Sequence, residues 1–251
     1  MKKKTAYKGT FDHKRDIGRV RIANEDQSFV LTNYHGDVLM IVCDGMGGQN
    51  KGDYASKMTL DHLVDSFKKK RKMPLFLSRL WLMRAIKEAN SIIYNEAEKN
   101  PIYHDMGTTC VAVLIQGSSM VVINVGDSRA YAYSELGLHC LTSDQTYVNY
   151  LYRSGQIKER ERDSSPDRHI LMNALGVYPS CNFDVKTYPY FGETVLLCSD
   201  GLYNNVSEPE IRAILATDER TDQKTANLIS EANHNGGSDN VAVALWETIK
   251  E

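Results

Sequence analysis

Apolar positions along the chain change their spacing several times. They first come in short runs, Phe29-Val30-Leu31 and Leu39-Met40-Ile41-Val42-Cys43, separated by the polar Asn33-Tyr34-His35-Gly36-Asp37. Runs of this length bounded by turn residues predict two strands joined by a hairpin, and therefore antiparallel. From Gly52 the spacing is helical. Leu60, Leu63, Val64 and Phe67 predict an amphipathic helix over about 52–70. Leu77, Leu80, Trp81, Ala85, Ala89, Ile92, Ile93 and Ala97 predict a second over about 75–99, with Pro74 between the two and Asn100-Pro101 as its stop.

Strand patterns return at 108–115, 120–125 and 130–133, with turns short enough for a meander, and again at 185–190 and 194–198, which read as another hairpin. Helices over about 207–217 and 221–234 follow, then a last strand at 241–246. Residues 10–26 are polar and predict no element. Residues 142–180 are irregular: a short helix from Thr146 to Gly155, then a charged, exposed stretch from Lys158 to Arg168. Strand pairs, a helix pair, a β meander and closing helices argue for an α+β domain with antiparallel sheets, since the βαβ alternation of a parallel sheet is absent.

Chemistry enters at the strand ends. Asp44, Asp127 and Asp200 each follow an apolar run, Asp239 precedes one, and each has glycine within three residues. A lone Asp-Gly after a strand reads first as a turn. Four gathered at one rim would repel one another, which raises a pKa or requires cations, and an all-oxygen set suits Mg²⁺ or Mn²⁺. Other site types fit less well. The glycines of 45–52 do not make G-x-G-x-x-G, because Asn50 stands where the third belongs, and neither G-K-[ST] nor G-x-S-x-G occurs. The seven histidines form no H-E-x-x-H and no close pair, which argues against zinc.

Composition adds limits. Hydrophobic residues make up 42% and charged residues 25% of 251, an ordinary globular profile. The net charge of −2 makes no electrostatic case for nucleic acid or an anionic membrane. The basic runs Lys2-Lys3-Lys4 and Lys68-Lys69-Lys70-Arg71-Lys72 are local, and the second reads as cations facing the negative end of a helix dipole rather than as a docking patch. No apolar stretch approaches the ~18 residues of a bilayer span, and no apolar region follows the basic N-terminus. Five cysteines without a C-x-x-C pair read as reduced thiols, so a cytoplasmic location is expected.

Arg21–Asp26 (RIANED), Val42–Gly52 (VCDGMGGQNKG), Met106–Thr109 (MGTT), Val125–Ala130 (VGDSRA), Leu175-Gly176, Leu197–Leu202 (LCSDGL) and Gly236–Val241 (GGSDNV) occur in an order and spacing that resembles the type 2C, metal-dependent serine/threonine protein phosphatases (the PPM family) in their compact bacterial form. The resemblance implies one catalytic domain over 1–251, a four-layer αββα sandwich of two mainly antiparallel β-sheets flanked by helices, with 142–180 as a flap beside the site. It implies Mg²⁺ or Mn²⁺, with Asp44 bridging two ions and the Gly45 carbonyl completing the first. Asp200 and Asp239 complete the second, while Asp127 joins Asp200 in holding a third. Glu25 and Asp26 would hold metal-bound waters, and Arg21 would grip the substrate phosphate during attack by a metal-bridging hydroxide. Implied partners are phosphoserine and phosphothreonine proteins, including a cognate Ser/Thr kinase or its substrates, approached by a monomer. A non-catalytic pseudophosphatase of the same fold is the alternative, disfavoured by the complete carboxylate set. Four positions depart from the pattern, of which Gln27, in place of a usual serine, carries no consequence. Met46 stands where animal members carry a histidine proposed as general acid, Gln145 where histidine is common, and Asn173 where arginine is common.

Overall fold

The computed structural model describes residues 6–48 and 51–249, so Lys2, Lys3, Lys4 and Asn50 lie outside the described residues. Strands β1 (Gly9–Asp16), β2 (Asp26–Thr32) and β3 (Val38–Met46) are followed by helices α1 (Lys51–Lys68) and α2 (Leu75–Lys99). Then come β4 (Gly107–Thr108), β5 (Cys110–Gln116), β6 (Ser119–Val125), β7 (Arg129–Ser134) and β8 (Gly137–Cys140). Helices α3 (Tyr147–Arg153) and α4 (Glu159–Ser164) precede β9 (Asp184–Pro189) and β10 (Thr194–Cys198). Helices α5 (Asp200–Tyr203), α6 (Glu208–Leu215) and α7 (Thr221–His234) lead into β11 (Val241–Thr248).

The strands form two antiparallel sheets, ordered β2-β3-β5-β6-β9 with β4 beside β3, and β1-β11-β10-β7-β8. Strand periodicity divides the apolar residues into layers. Leu39, Ile41 and Cys43 of β3 pack with Leu63 and Phe67 of α1 and Leu82 and Ile86 of α2. Met40 and Val42, one residue out of phase, meet Val195, Leu197, Ala242, Ala244 and Trp246 of the other sheet. Leu196, Val243 and Leu245 face outward onto Leu202, Ile211, Leu215 and Leu228 of α5, α6 and α7. The result is the expected αββα sandwich, its thickness set by three apolar layers.

Four expectations are corrected. Residues 10–26 contain a strand, β1, which pairs along its whole length with β11. Its sequence, GTFDHKRD, is mostly polar because it is an edge strand, with only one neighbour to satisfy. The meander breaks after β6, since β6 and β7 lie in different sheets and Gly126-Asp127-Ser128 carries the chain across. For the same reason β9 and β10 are not a hairpin: β9 pairs with β6, whereas β10 pairs with β7 and β11. Finally, Leu77, Leu80 and Ile92 do not join the buried face of α2, which is made by Ser78, Leu82, Ala85, Ile86, Ala89, Asn90, Ile93 and Ala97.

The loop after α1 also differs from a simple run of surface cations. Lys70 is buried, and its Nζ donates to Asp37 Oδ2 at 2.7 Å, closing the β2–β3 turn against the end of the helix. Breaking a buried ion pair from one side strands a charge, so Lys70→Met is expected to destabilise the fold by about 3 kcal/mol in urea denaturation. A loss under about 0.5 kcal/mol would show that water reaches Asp37. No helix among the described residues is long and apolar enough to cross a membrane.

Candidate functional site

The strand periodicity that builds the core also aims the carboxylates. In β3 the phase of Met40 and Val42 continues to Asp44, and in β2 the phase of Val30 continues through Ser28 to Asp26. Asp26 and Asp44 are direct cross-strand partners, so both face the space between the sheets at one end of the sandwich. The opposite sheet meets them there. Ser199, in phase with Val195 and Leu197, donates from Oγ to Asp26 Oδ2 at 2.6 Å and accepts from the Ala242 amide at 2.8 Å. Asp200 follows as the first residue of α5, Asp239 lies two residues before β11, and Asp127 sits in the crossing between sheets.

Local backbone contacts hold the rim together. The Asp44 amide donates to Thr109 Oγ1 at 3.0 Å, and its carbonyl accepts from Thr108 Oγ1 and the Thr109 amide at 2.9 and 2.8 Å. Gly45 and Gly52 touch main chain to main chain: a Cβ on Gly52 would lie 2.5 Å from the Gly45 carbonyl carbon, and one on Gly45 only 2.2 Å from the Gly52 carbonyl oxygen. Only glycine allows α1 to start this close to the strand that delivers Asp44. The Glu25 carbonyl accepts from Ser56 Oγ at 2.6 Å and from the Gly45 amide at 3.2 Å. Asn240 Oδ1 accepts from the Glu25 amide, and its Nδ2 donates to the carbonyls of Ile17 and Ala23, fixing the loop that carries Arg21.

The electrostatics are those of crowded anions. Burial, then the charges of Asp26, Asp200, Asp127 and Asp239, push the Asp44 carboxyl well above the usual carboxylate range. Asp26 is pushed up to about 8 by burial, with Asp200 and Asp239 adding to the shift, and Asp127 to about 7 by burial, then by Asp200 and Asp144. Burial also raises Glu25, whose Oε1 is enclosed without a hydrogen-bond partner. Arg21 faces this cluster; its Nη2 donates to Asp239 Oδ2 at 2.7 Å, and that bond raises its pKa. The structure thus brings Arg21, Glu25, Asp26, Asp44, Gly45, Asp127, Asp200 and Asp239 to one end of the sandwich.

Among the described residues, however, no three carboxylate, imidazole or thiol groups converge into a ready-made metal cage. Three of the side chains are turned to protein partners: Asp239 to Arg21, Asp26 to Ser199, and Asp200 to Asn204 Nδ2 at 3.1 Å. Such a rim fits Mg²⁺ or Mn²⁺, hard ions that keep several waters and take only one or two carboxylates directly. The repulsion among buried carboxyls and the orphaned Glu25 oxygen are what a hydrated dication would relieve.

The side of the rim next to residues 142–180 adds residues that the sequence did not single out. His169, one of the scattered histidines, places Nδ1 3.7 Å from Asp200 Oδ2, and that carboxylate raises its pKa. Arg129 pairs with Asp144 through Nε at 3.0 Å and Nη2 at 2.6 Å, with its guanidinium 3.6 Å above the Tyr203 ring. These groups line a cavity of about 530 Å³ beside Asp127. Two of the departing positions meet: Asn173 Nδ2 donates to Gln145 Oε1 at 2.6 Å, and the same oxygen accepts from the Gly126 amide at 2.9 Å. Met46 pairs with Gly107 in the short β3–β4 ladder.

A family model described as Protein phosphatase 2C matches residues 18–235. A curated relative named serine/threonine phosphatase stp, from Listeria monocytogenes serotype 4b (strain F2365), is 38% identical over 241 residues, covering 94% of each chain. A solved S. agalactiae serine/threonine phosphatase superposes with a TM-score of 0.91 at 34% identity, covering 96% of this chain and all of the other. The catalytic domain of the serine threonine protein phosphatase PstP, solved with 2 manganese ions, superposes with a TM-score of 0.84 at 29% identity over 96% of this chain and 99% of that one.

The raised carboxyls give a pH signature. Their folded pKa values lie above the unfolded value of about 4, so the native state holds protons that the unfolded chain releases. The stability this contributes is present below about pH 4 and is lost as pH rises toward about 8. Chelator-treated protein is therefore expected to show a thermal midpoint that falls from pH 5 to pH 8, with Mn²⁺ raising it more at pH 8. Asp26→Asn should flatten the chelator-treated profile. A midpoint that rises steadily over this range without metal would contradict the carboxylate assignment.

Proposed function

The chain belongs to the protein phosphatase 2C family and is a metal-dependent protein serine/threonine phosphatase, and we propose that the carboxylate rim between its two sheets carries the reaction, with Arg21 as the phosphate grip. The observation that bears this reading is the facing pair Asp26 and Asp44, backed by Asp127, Asp200 and Asp239 from the other sheet and the crossing. Asp44, the Gly45 carbonyl, Asp200 and Asp239 would hold two divalent ions, and Asp127 with Asp200 a third. Bound Mg²⁺ or Mn²⁺ supplies Lewis acidity to phosphoryl oxygens and acidifies water at the site.

The protein's own groups do the rest. Glu25 and Asp26 would accept hydrogen bonds from water near Asp44 once bound cations offset the burial and the neighbouring carboxylates that raise their pKa values. Arg21 is half-exposed and held by one part-exposed carboxylate. A pair of that kind is weak, about 0–1 kcal/mol, so phosphate can draw the guanidinium away from Asp239 at small cost. Asp239, freed of Arg21, would be available to hold a cation, while the planar fork of Arg21 takes two phosphoryl oxygens in parallel. Met46 has no proton to give the leaving alkoxide, so position 46 supplies no general acid.

Substrates in this reading are phosphoserine and phosphothreonine proteins, including a cognate Ser/Thr kinase or its substrates. The enzyme works as a cytoplasmic monomer whose residues 142–180 form a flap over the substrate. The alternative, a pseudophosphatase, requires lost ligands, and none of the expected carboxylates is missing.

Hydrolysis of p-nitrophenyl phosphate with Mn²⁺ is expected for the unmodified chain and should fall at least about a hundredfold in Asp44→Asn and in Asp239→Asn. No metal-dependent turnover in the unmodified protein would sink the reading. Arg21→Lys should raise KM for a phosphopeptide about tenfold, because an ammonium cannot make the two parallel bonds, while leaving the metal titration unchanged.

A further inference from the structure

The loop between α1 and α2 carries a surface that the phosphatase reaction does not use. Of its five consecutive cations, Lys70 is spent on Asp37 inside the protein. Lys68, Lys69, Arg71 and Lys72 are all exposed, and among the described residues only Lys68 of these has a carboxylate within ion-pair distance, Asp65 at 3.7 Å. Three large apolar side chains stand beside them on the first two turns of α2: Phe76 is 64% exposed, Leu80 52% and Leu77 41%. Phe76 and Leu80 lie four residues apart, so they share one helix face.

This surface is preformed. Lys70 Nζ lies 5.9 Å from the centre of the Trp81 ring, which seats the loop on α2. Gln116 Nε2 donates to the Met73 carbonyl at 3.0 Å, which ties the same loop to the β5–β6 turn. The net charge of −2 averages away this local density of positive charge, so the global value says nothing about the patch.

We propose that this end of the protein docks on an anionic phospholipid surface, with Lys68, Lys69, Arg71 and Lys72 at the headgroups and Phe76, Leu77 and Leu80 entering the interface. Charge complementarity accounts for the cations, and the protruding apolar chains distinguish a bilayer from an acidic protein segment, which would engage the cations alone. The orientation is productive. Helix α1 starts at the catalytic rim and ends at the patch, and its 18 residues span about 27 Å. A docked molecule therefore holds its active site away from the lipid and open to substrate.

Co-sedimentation of the full chain with vesicles of phosphatidylcholine containing about 30% phosphatidylglycerol, against pure phosphatidylcholine, tests this at about 0.1 M salt. The expected result is about tenfold stronger partition to the anionic vesicles, lost in the Lys69→Gln, Arg71→Gln, Lys72→Gln triple variant. A Phe76→Ser, Leu80→Ser variant should bind at least about threefold less. Both variants should keep their circular dichroism and their Mn²⁺-dependent turnover, since neither touches the rim. Equal partition to both vesicles, or full binding by the triple variant, overturns the proposal. Undiminished binding by the apolar variant also overturns it, by assigning the patch to a purely ionic partner.

Discussion

Repulsion between carboxylates at one end of the sandwich is the constraint around which the site is built. Asp26 and Asp44 face each other across one ladder, while Asp127, Asp200 and Asp239 approach from the crossing and the other sheet. Neither sheet could hold such a cluster alone. The end stays closed because Ser199 links the sheets by accepting from Ala242 and donating to Asp26, and because Arg21 neutralises Asp239. Cation binding at such a rim is therefore also a contribution to folding, since the charge that makes the site reactive is the charge that strains it.

Much of this could be read from the sequence because strand periodicity is an exact count of two. Once Met40 and Val42 are placed between the sheets, Asp44 must follow them, and the glycines after it need a close backbone approach. The phase of Ser199 against Asp26 follows from the same arithmetic. What was not legible depended on partners distant in the chain. Polar β1 becomes a strand only because β11, more than 200 residues later, supplies its hydrogen bonds. The sheet change at Gly126–Ser128 leaves no mark in hydrophobicity, since both flanking strands are apolar. His169 acquires significance only through its distance to Asp200.

The helix pair shows a similar division. The apolar spacing of α2 located the helix correctly, yet Leu77 and Leu80 point outward, because the buried stripe runs through the smaller Ser78, Ala85 and Ala89. Small residues let the helix lie close to α1 and the sheet. Leu77 and Leu80 were left outside, next to cations that one buried lysine holds in place.

The contact between Gln145 and Asn173 decides how residues 142–180 are held beside the rim. Gln145 and Asn173 bond to each other and, through Gln145, to the main chain beside Asp127. An amide pair is uncharged, so neither protonation nor added salt loosens the bond between the two. The anchor of residues 142–180 beside Asp127 is therefore the same at every pH at which the carboxyls of the rim change charge.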